Sequence, residues 1–279
     1  MSTEKVKIVV DSSSDVLQFE NIGFASAPLK IITSEREYVD DNSLDVGEMV
    51  EGLLHYNGKS STSCPNPEDW LKTFGDAQTV FCVTITAALS GSYNSACIAK
   101  KMYEAEYPER KVYVINSYST GPEMKLIIEK IRELVLAGLE FDDVAEQTQT
   151  YMKKTGLLFM LQSMKNLANN GRVSHIKAKM AGILGIRALG KASDEGTLEM
   201  LEKCRGENNS GIAIIAQLKN QGYKGGKVRI AHCLNESFAL RIKDLLVQEF
   251  GNFDAEVYSC RGLCSFYAEK GGILVGFEK

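Results

Sequence analysis

The sequence lacks an excess of positive charge and any long apolar run. Its 279 residues carry 32 lysines and arginines against 36 aspartates and glutamates, a net charge of -4, whereas a nucleic-acid-binding surface needs a basic patch. No segment approaches the ~20 apolar residues of a transmembrane helix. The N-terminal stretch MSTEKVKIVVDSSSD has a short apolar core between charged flanks, unlike a secretory signal. We therefore expect a soluble cytoplasmic protein that neither binds nucleic acid nor inserts stably into a membrane.

Common cofactor and catalytic motifs are also missing. The sequence has no G-x-G-x-x-G dinucleotide fingerprint and no G-x-S-x-G nucleophile elbow. Gly185–Lys191 matches the start of a phosphate-binding loop, but Ala192 follows where a magnesium-binding Ser or Thr is required. We therefore expect no cofactor. The histidines His55, His175 and His232 are isolated in the sequence, but one of them could approach a serine in space, so a serine-dependent hydrolase stays open.

The seven cysteines are scattered and odd in number, which indicates a reducing compartment rather than a disulfide framework. Only Cys260 and Cys264 lie close together, with C-x3-C spacing. A structural zinc site needs four ligands. We therefore predict no metal site, with a site at this pair as the minor alternative.

Short apolar runs alternate with amphipathic stretches along the chain. This alternation predicts an α/β fold with a mainly parallel sheet and flanking helices in its first half. At 279 residues the chain is long enough for two domains. We place the boundary at Thr155–Gly156, which gives an N-terminal α/β domain of residues 1–155 and a second α/β domain of residues 156–279.

Individual elements follow from the same patterns. A short helix begins at Asn66–Pro67, because asparagine is a good N-cap and proline suits the first turn. Two glycines and alternating residues around Arg187–Lys203 indicate a hairpin. The other predicted strands are Val6–Val10, Pro28–Ile32, Thr79–Thr86, Val112–Asn116 and Leu157–Leu161, with three more in KVRIAHC, AEVYSC and GILVGF; the other predicted helices are Leu44–Tyr56, Ser92–Tyr107, Thr120–Ala137, Asp142–Lys154, Ser163–Asn170, His175–Leu184, Ser210–Asn220 and Ser237–Phe250.

Serine and threonine cluster where predicted strands end. Ser90 and Ser92 lie in LSGSYNSA, Thr62 and Ser63 lie in SSTSCPNP, and DSSSD follows the first strand. Ligands of open parallel sheets bind at the carboxyl ends of strands, and a helix N-terminus there attracts anions. Taken alone, Ser92 is best explained as a helix cap. Three hydroxyl-rich loops at one edge favour an anion site built from neutral donors.

One arginine stands out in a turn of the second half. Arg172 follows Gly171 in NNGRVSHIKAK, beside Lys177 and Lys179. One interpretation is a solvated basic turn. The other is an arginine that meets a phosphate or a partner's carboxylate, for which its planar fork is suited.

These motifs, in this order, resemble the DegV family of bacterial fatty-acid-binding proteins. The similarity covers most of the chain and rests on VVDSSSD, PLKI, YVDDNS, TSCP, LSGSYNSA, VINS, the NNGRVS turn and KCRG. The resemblance implies two α/β domains with a long-chain fatty acid, of the palmitate, stearate or oleate type, held between them. It also implies that the carboxylate contacts Thr62 and Ser90, with Ser63 and Ser92 as second contacts.

The resemblance further implies a kinase system. In it, the bound acid is presented to a separate fatty acid kinase catalytic subunit and becomes an acyl phosphate, with Arg172 as the candidate for docking or transfer. Family members usually carry a His-Thr-Gly-Pro-Gly-like stretch before the last strand, and here the corresponding stretch is Ala268–Gly272. A histidine that assisted phosphotransfer would be missing, which bears on the kinase role more than on lipid binding. Cys64 likewise replaces the glutamine of TS-x-P.

The energetics of a fatty acid suit such a site. Burying a chain of ~16 carbons contributes on the order of 10 kcal/mol before association costs, and a hydrogen bond to the charged head contributes roughly 1.5–3 kcal/mol. The runs FCVTI, LLFML and AGILGI are candidate tunnel walls. We favour a monomeric fatty-acid carrier without catalysis of its own; a serine-dependent hydrolase or acyltransferase and an anion-binding regulatory module are the alternatives.

Overall fold

The computed structural model describes residues 5–173 and 185–279. The predicted helix His175–Leu184 and the lysines Lys177 and Lys179 lie outside the described residues. The strands are β1 Val6–Asp11, β2 Gly23–Ala27, β3 Lys30–Ile32, β4 Glu37–Val39, β5 Ser61–Ser63, β6 Thr79–Thr84, β7 Lys111–Asn116, β8 Thr155–Leu161, β9 Ile186–Ala192, β10 Leu198–Arg205, β11 Val228–His232, β12 Ala255–Ser259 and β13 Ile273–Glu278. The helices are α1 Val46–His55, α2 Pro67–Phe74, α3 Ser92–Glu106, α4 Gly121–Leu136, α5 Phe141–Met152, α6 Lys165–Asn169, α7 Glu207–Asn220, α8 Glu236–Phe250 and α9 Gly262–Ala268.

The first half of the chain is built on a parallel sheet with strand order β2-β1-β6-β7. Its central strands read as continuous apolar runs because both faces are covered. Ile8 faces a cluster with α4 and α5, whereas its neighbour Val9 faces α2 and α3. The predicted parallel sheet with flanking helices is confirmed.

The second half forms a six-stranded mixed sheet with order β10-β9-β8-β13-β11-β12. One face packs against α7 and α8 through residues such as Leu158 and Phe238. The other face, with Leu157, Phe159 and Leu274, contributes to a cluster that also includes α1 and α9. This second face is therefore directed toward the first half of the chain. Among the described residues, no helix has the length and apolarity needed to cross a bilayer.

Several elements differ from the sequence prediction. The predicted strand at Pro28–Ile32 exists as β3, but it pairs with β4 and β5 in a small antiparallel sheet. The neighbour of β1 is instead β2, whose sequence GFASA has few of the bulky residues that favour strands. Residues 186–191 extend along β9 and pair with β8 and β10, so they form no phosphate-binding loop.

Helix α9 belongs to the second half of the sequence but is anchored to the first. The Asp40 carboxylate accepts hydrogen bonds from the amides of Gly262 and Leu263, both at 2.8 Å. Asp15 Oδ1 accepts from the Arg261 amide at 2.7 Å. A Cβ on Gly262 would come within 2.7 Å of Asp40 Oδ1, so this close approach requires glycine. The free amides at the helix start thus meet two buried carboxylates.

A buried ion cluster joins the halves at another place. Arg229 on β11 is 5% exposed and donates from Nε and Nη2 to the two Glu129 oxygens of α4, at 2.8 and 2.7 Å. It also donates to both carboxylate oxygens of Asp254, at 2.9 and 3.0 Å. Such forked, charge-assisted contacts are geometrically specific. They fix α4 against the second sheet.

We predict that Arg229→Met lowers the free energy of unfolding by about 2–4 kcal/mol, because it leaves the Glu129 carboxylate unpaired in a mostly buried position. Lys219→Met is the matched control: Lys219 pairs with Glu249 on the surface, and their side chains are 47% and 44% exposed. Its effect should stay within about 0.5 kcal/mol. Urea denaturation monitored by circular dichroism measures both, and equal losses in the two variants would contradict the prediction.

Candidate functional site

A cavity lies between the parallel sheet, the second sheet and α9. About 700 Å³ of this space is free of protein atoms, a figure that includes the open space at its mouth. Both halves of the chain contribute to its wall. The lining residues are Leu29, Thr62, Ile85, Leu89, Ser90, Thr120, Leu157, Phe159, Leu161, Leu167, Arg172, Leu198, Leu263, Cys264, Tyr267, Ala268 and Leu274.

Most of this lining is apolar, and two of the predicted tunnel walls contribute to it. Ile85 comes from FCVTI, and Leu157, Phe159 and Leu161 come from LLFML. These last three occupy alternate positions on β8, so they face the same side of the sheet. The third predicted wall, AGILGI, falls largely outside the described residues.

The polar lining residues at one part of the cavity contact each other. Thr62 Oγ1 and the Tyr267 hydroxyl are hydrogen-bonded at 2.8 Å. The Arg172 guanidinium lies 5.6 Å from the centre of the Tyr267 ring, and its Nε donates to the Leu89 carbonyl at 3.3 Å. Leu89 directly precedes Ser90. Three hydroxyls and one guanidinium therefore gather at this end, which we call the polar end (Thr62, Ser90, Arg172 and Tyr267).

A buried network holds Ser90 in place. The Ser92 amide donates to Ser90 Oγ at 3.2 Å, while the Ser92 hydroxyl donates to Asp11 Oδ2 at 2.5 Å. The same Asp11 oxygen accepts from the Ile85 amide at 2.9 Å, and Asp11 Oδ1 accepts from Ser13 at 2.5 Å. The Ser92 side chain therefore does not cap α3. It ties the LSGSYNSA loop to the DSSSD loop, as the clustering of these loops at one edge predicted.

The Asp11 carboxylate is fully buried in this network. Burial raises its pKa, and the hydrogen bonds from Ser13, Ser92 and the Ile85 amide act in the opposite direction. A similar link joins the third loop, where Ser95 Oγ donates to the Pro65 carbonyl at 2.7 Å. All three hydroxyl-rich loops are thus connected beneath the cavity.

The structure brings together three of the sequence-predicted site residues. Thr62, Ser90 and Arg172 line the same cavity. Ser63 follows Thr62 on β5, so its side chain points to the opposite face of the strand, and Ser92 lies beneath Ser90 with no exposed surface. Neither of these two belongs to the lining set.

No described histidine is hydrogen-bonded to a serine of the LSGSYNSA loop. His55 Nδ1 bonds to the Glu51 carbonyl at 2.8 Å, and His232 Nδ1 accepts from the Asn235 amide at 3.3 Å. His175 lies outside the described residues. The described part of the chain therefore contains no serine–histidine pair at Ser90 or Ser92.

The two cysteines of the C-x3-C pair are buried free thiols, and the other five cysteines, all among the described residues, are also free thiols. Cys264 lines the cavity, and its sulfur donates to the Ser13 carbonyl at 3.2 Å. Thr120 Oγ1 donates to the same carbonyl at 3.2 Å. Within the described ranges, no group of three or more His, Cys, Asp or Glu side chains is arranged to hold a metal ion.

Sequence reasoning missed Tyr267 and the helix α9 that carries it. Tyr267 directly precedes Ala268–Gly272, the stretch assigned to the family's histidine-containing motif. Of that stretch, Ala268 lines the cavity, whereas Glu269 accepts from the Asn166 amide and Lys270 pairs with Glu51. An aromatic residue next to a departure from the family pattern was the available signal.

Asp15 is a buried carboxyl group that lies below the cavity. Its Oδ2 has no hydrogen-bond partner among the described residues. The pKa of Asp15 is raised to about 8, chiefly by burial and also by the charge of Asp40, while the Arg261 amide and guanidinium oppose the shift. Asp15 is therefore mostly protonated in the folded protein at neutral pH.

The chain is similar to known proteins over nearly its whole length. The protein-family model described as "Uncharacterised protein, DegV family" matches residues 5–279. A DegV domain-containing protein of Streptococcus pneumoniae is 41% identical over 276 residues, which cover 98% of each chain. All of these matches extend over nearly the whole sequence.

Solved structures show the same two-domain α/β architecture. A DegV family protein from Eubacterium eligens loaded with heptadecanoic acid is 43% identical, with a TM-score of 0.96 over 98% of this chain and 99% of that one. The Streptococcus pneumoniae Fatty Acid Kinase (Fak) B3 protein loaded with linoleic acid is 41% identical, with a TM-score of 0.95 over the same shares. A Ruminococcus gnavus DegV family protein with vaccenic acid is 31% identical, with a TM-score of 0.90 over 98% of this chain and 99% of that one.

The protonation of Asp15 predicts how stability depends on pH. The folded chain keeps this proton up to about pH 8, whereas the unfolded chain loses it near pH ~4. Between these values the folded state binds more protons, so the free energy of unfolding falls as pH rises, by up to about 1.4 kcal/mol per pH unit. Asp15→Asn removes this contribution.

We therefore expect the wild type to lose stability relative to Asp15→Asn as pH rises from 5 to 8. Denaturant titrations of both proteins at several pH values in this range measure the difference. A stability difference that stays constant with pH would show that Asp15 is already ionised in the folded protein.

Proposed function

This chain belongs to the DegV family, and from that premise we propose that it binds a long-chain fatty acid, of the palmitate, stearate or oleate type, in the cavity between its two domains. The observation that carries the proposal is an apolar cavity whose polar end is made mainly of hydroxyls. Relatives that are 43% and 41% identical hold heptadecanoic acid and linoleic acid in their structures. The proposal includes the division into residues 1–155 and 156–279, because both parts line the cavity.

The acyl chain lies along the apolar wall, and its burial supplies most of the affinity. At about 0.8 kcal/mol per methylene, ~16 carbons contribute on the order of 10 kcal/mol before association costs. The carboxylate receives hydrogen bonds from Ser90 and Thr62, each worth roughly 1.5–3 kcal/mol to a charged group. The tail thus sets affinity and the head sets orientation.

The other two predicted contacts have indirect roles in this proposal. Ser92 orients Ser90, because its amide donates to Ser90 Oγ while its hydroxyl is held by Asp11. Ser63 lies beside Thr62 at the end of β5 and completes the strand that positions it. Only Thr62 and Ser90 of the four contact the carboxylate.

We also propose that the bound acid is presented to a separate fatty acid kinase catalytic subunit, which converts the carboxylate into an acyl phosphate. The likeness to a protein named for fatty acid kinase supports this role. Arg172 is the one charged residue that lines the described cavity; it is partly exposed, and Nε and Nη1 donate to backbone carbonyls. The rest of its guanidinium is available for the transferred phosphoryl group or the partner.

In this scheme the chain is a monomeric cytoplasmic carrier without catalysis of its own. A serine-dependent mechanism needs a base next to the serine. No described side chain accepts a hydrogen bond from Ser90, whereas Ser92 donates to Asp11 but is fully buried and lies outside the cavity lining. The hydroxyls act as donors to the ligand rather than as nucleophiles.

The first test concerns ligand binding. Native mass spectrometry of protein purified from a bacterial host should show one bound acyl chain. Thr62→Ala and Ser90→Ala should each weaken palmitate binding about tenfold, since each removes one hydrogen bond to a charged head while the tail stays buried. Ser210→Ala is the control, because the Ser210 hydroxyl bonds to the Gly206 carbonyl at the start of α7, outside the cavity lining.

The control should leave the dissociation constant for palmitate unchanged. A protein that is free of lipid as purified, and that stays free after incubation with palmitate, would rule out the proposed function. Normal palmitate affinity in both Thr62→Ala and Ser90→Ala would instead reject the placement of the carboxylate.

The second test concerns presentation to a kinase. We expect Arg172→Ala to keep palmitate affinity within a fewfold but to lower acyl-phosphate formation by about tenfold or more, equivalent to about 1.4 kcal/mol of transition-state stabilisation. The assay combines the loaded carrier with a bacterial fatty acid kinase catalytic subunit and ATP, and traps product with hydroxylamine. Arg132→Ala, a surface arginine that bonds to the Glu20 carbonyl, is the control. Unchanged turnover in Arg172→Ala would exclude this role.

A further inference from the structure

The position of Tyr267 at the polar end is fixed from both sides. Its helix, α9, is held at its start by the Asp40 carboxylate through the Gly262 and Leu263 amides. The Tyr267 ring packs edge-on against Phe266, with ring centres 4.8 Å apart, and the Arg172 guanidinium lies over it at 5.6 Å. The hydroxyl then reaches Thr62 Oγ1 at 2.8 Å. This tyrosine is placed by contacts with both halves of the chain.

The hydroxyl groups of the polar end retain O–H hydrogens that are available to a ligand. Each hydroxyl has one hydrogen to donate and two lone pairs. Among the described residues, the side-chain hydroxyls of Thr62 and Tyr267 bond only to each other, which uses one of their two hydrogens. Ser90 Oγ accepts from the Ser92 amide, so its own hydrogen is unused there. The polar end thus retains two O–H donors, one from Ser90 and one from the Thr62–Tyr267 pair.

Two donors match the two oxygens of a carboxylate. We propose that Tyr267 is a ligand-binding residue of this site: its hydroxyl, paired with that of Thr62, forms the second donor to the fatty-acid carboxylate. Tyr267 directly precedes the stretch Ala268–Gly272, which corresponds to the histidine-containing stretch of other family members. This inference rests on the proposed function and identifies a residue of the same site.

The phenol is suited to this position because it is a neutral donor. Burial raises the pKa of Tyr267, while the Thr62 hydrogen bond and the Arg172 charge oppose the shift. The hydroxyl therefore keeps its hydrogen at neutral pH. A hydrogen bond from it to an ionised carboxylate is of the short, charge-assisted kind.

The two hydroxyls of the pair can exchange roles. If Tyr267 donates to Thr62, then Thr62 donates to the ligand; if Thr62 donates to Tyr267, then Tyr267 donates to the ligand. Removing either hydroxyl leaves one donor that no longer has a fixed orientation. The two substitutions should therefore be non-additive, as expected for residues that share one hydrogen bond.

The test compares an acid with an alcohol of the same tail. We expect Tyr267→Phe to weaken palmitate binding about tenfold, equivalent to about 1.4 kcal/mol, and to leave hexadecan-1-ol binding nearly unchanged. A change in cavity shape would weaken both ligands alike. Tyr223→Phe is the matched control, because the Tyr223 hydroxyl bonds to the Gly226 carbonyl at 2.9 Å and lies outside the cavity lining.

The Tyr223 variant should melt at a lower temperature but keep the palmitate preference of the wild type. Thr62→Ala combined with Tyr267→Phe should lose less affinity than the product of the two single losses. Should Tyr267→Phe not fold, Tyr267→Met removes the hydroxyl while keeping apolar volume, and the same acid-to-alcohol ratio is measured.

The outcomes separate this inference from the proposed function. A wild type that binds palmitate, together with a Tyr267 variant whose acid-to-alcohol ratio is unchanged, overturns the role of Tyr267 and leaves the function intact. A wild type that binds neither ligand overturns both. Strictly multiplicative losses in the double variant would show that the two hydroxyls do not act as a pair.

Discussion

The cavity depends on one set of contacts, the hydrogen bonds between two buried aspartates and the start of α9. Asp40 binds the amides of Gly262 and Leu263, and Asp15 binds the amide of Arg261. The first amides of a helix have no partner within the helix, and the two carboxyl groups accept hydrogen bonds from them without a buried lysine. These bonds hold the last helix of the chain against loops of its first half, and the cavity wall between them follows from that placement.

The polar end is likewise built mainly from neutral groups. A buried ammonium group would have to be desolvated, whereas hydroxyls donate to a carboxylate at much lower desolvation cost. Ionisable groups are instead kept where they have several partners: Asp11 accepts from two serines and an amide, and Arg229 is bonded to two carboxylates. Neutral groups thus face the cavity, and these ionisable groups are engaged in bonds that fix the backbone around it. Arg172 is the exception in the described lining, and it lies where the chain is partly exposed.

Local patterns were sufficient to predict elements whose own residues carry a strong signal. Asn66 and Pro67 begin α2 with a capping box, and the apolar run at Thr79–Thr84 becomes the buried β6. Strand β2 was missed because its small residues carry little strand propensity and its pairing with β1 decides its structure. Helix α9 and Tyr267 were missed for a stronger reason. Their positions depend on Asp40, which is separated from Gly262 by 222 residues, and no local period encodes such a contact.

Because both halves of the chain supply cavity wall, a ligand in the cavity contacts both halves. Leu29 and Ile85 come from the first half, whereas Phe159 and Leu274 come from the second, and all four face the same space. Apolar side chains around a space without partner atoms lose dispersion contacts that a filled core would provide. Under the proposed function, an acyl chain makes those contacts on both sides at once. A ligand that binds only the folded state stabilises it by an amount that grows with the logarithm of its free concentration, so in this proposal the acyl chain is a core element shared by the two halves of the chain. The bonds of α9 and Arg229 between the two halves of the chain hold the two walls together.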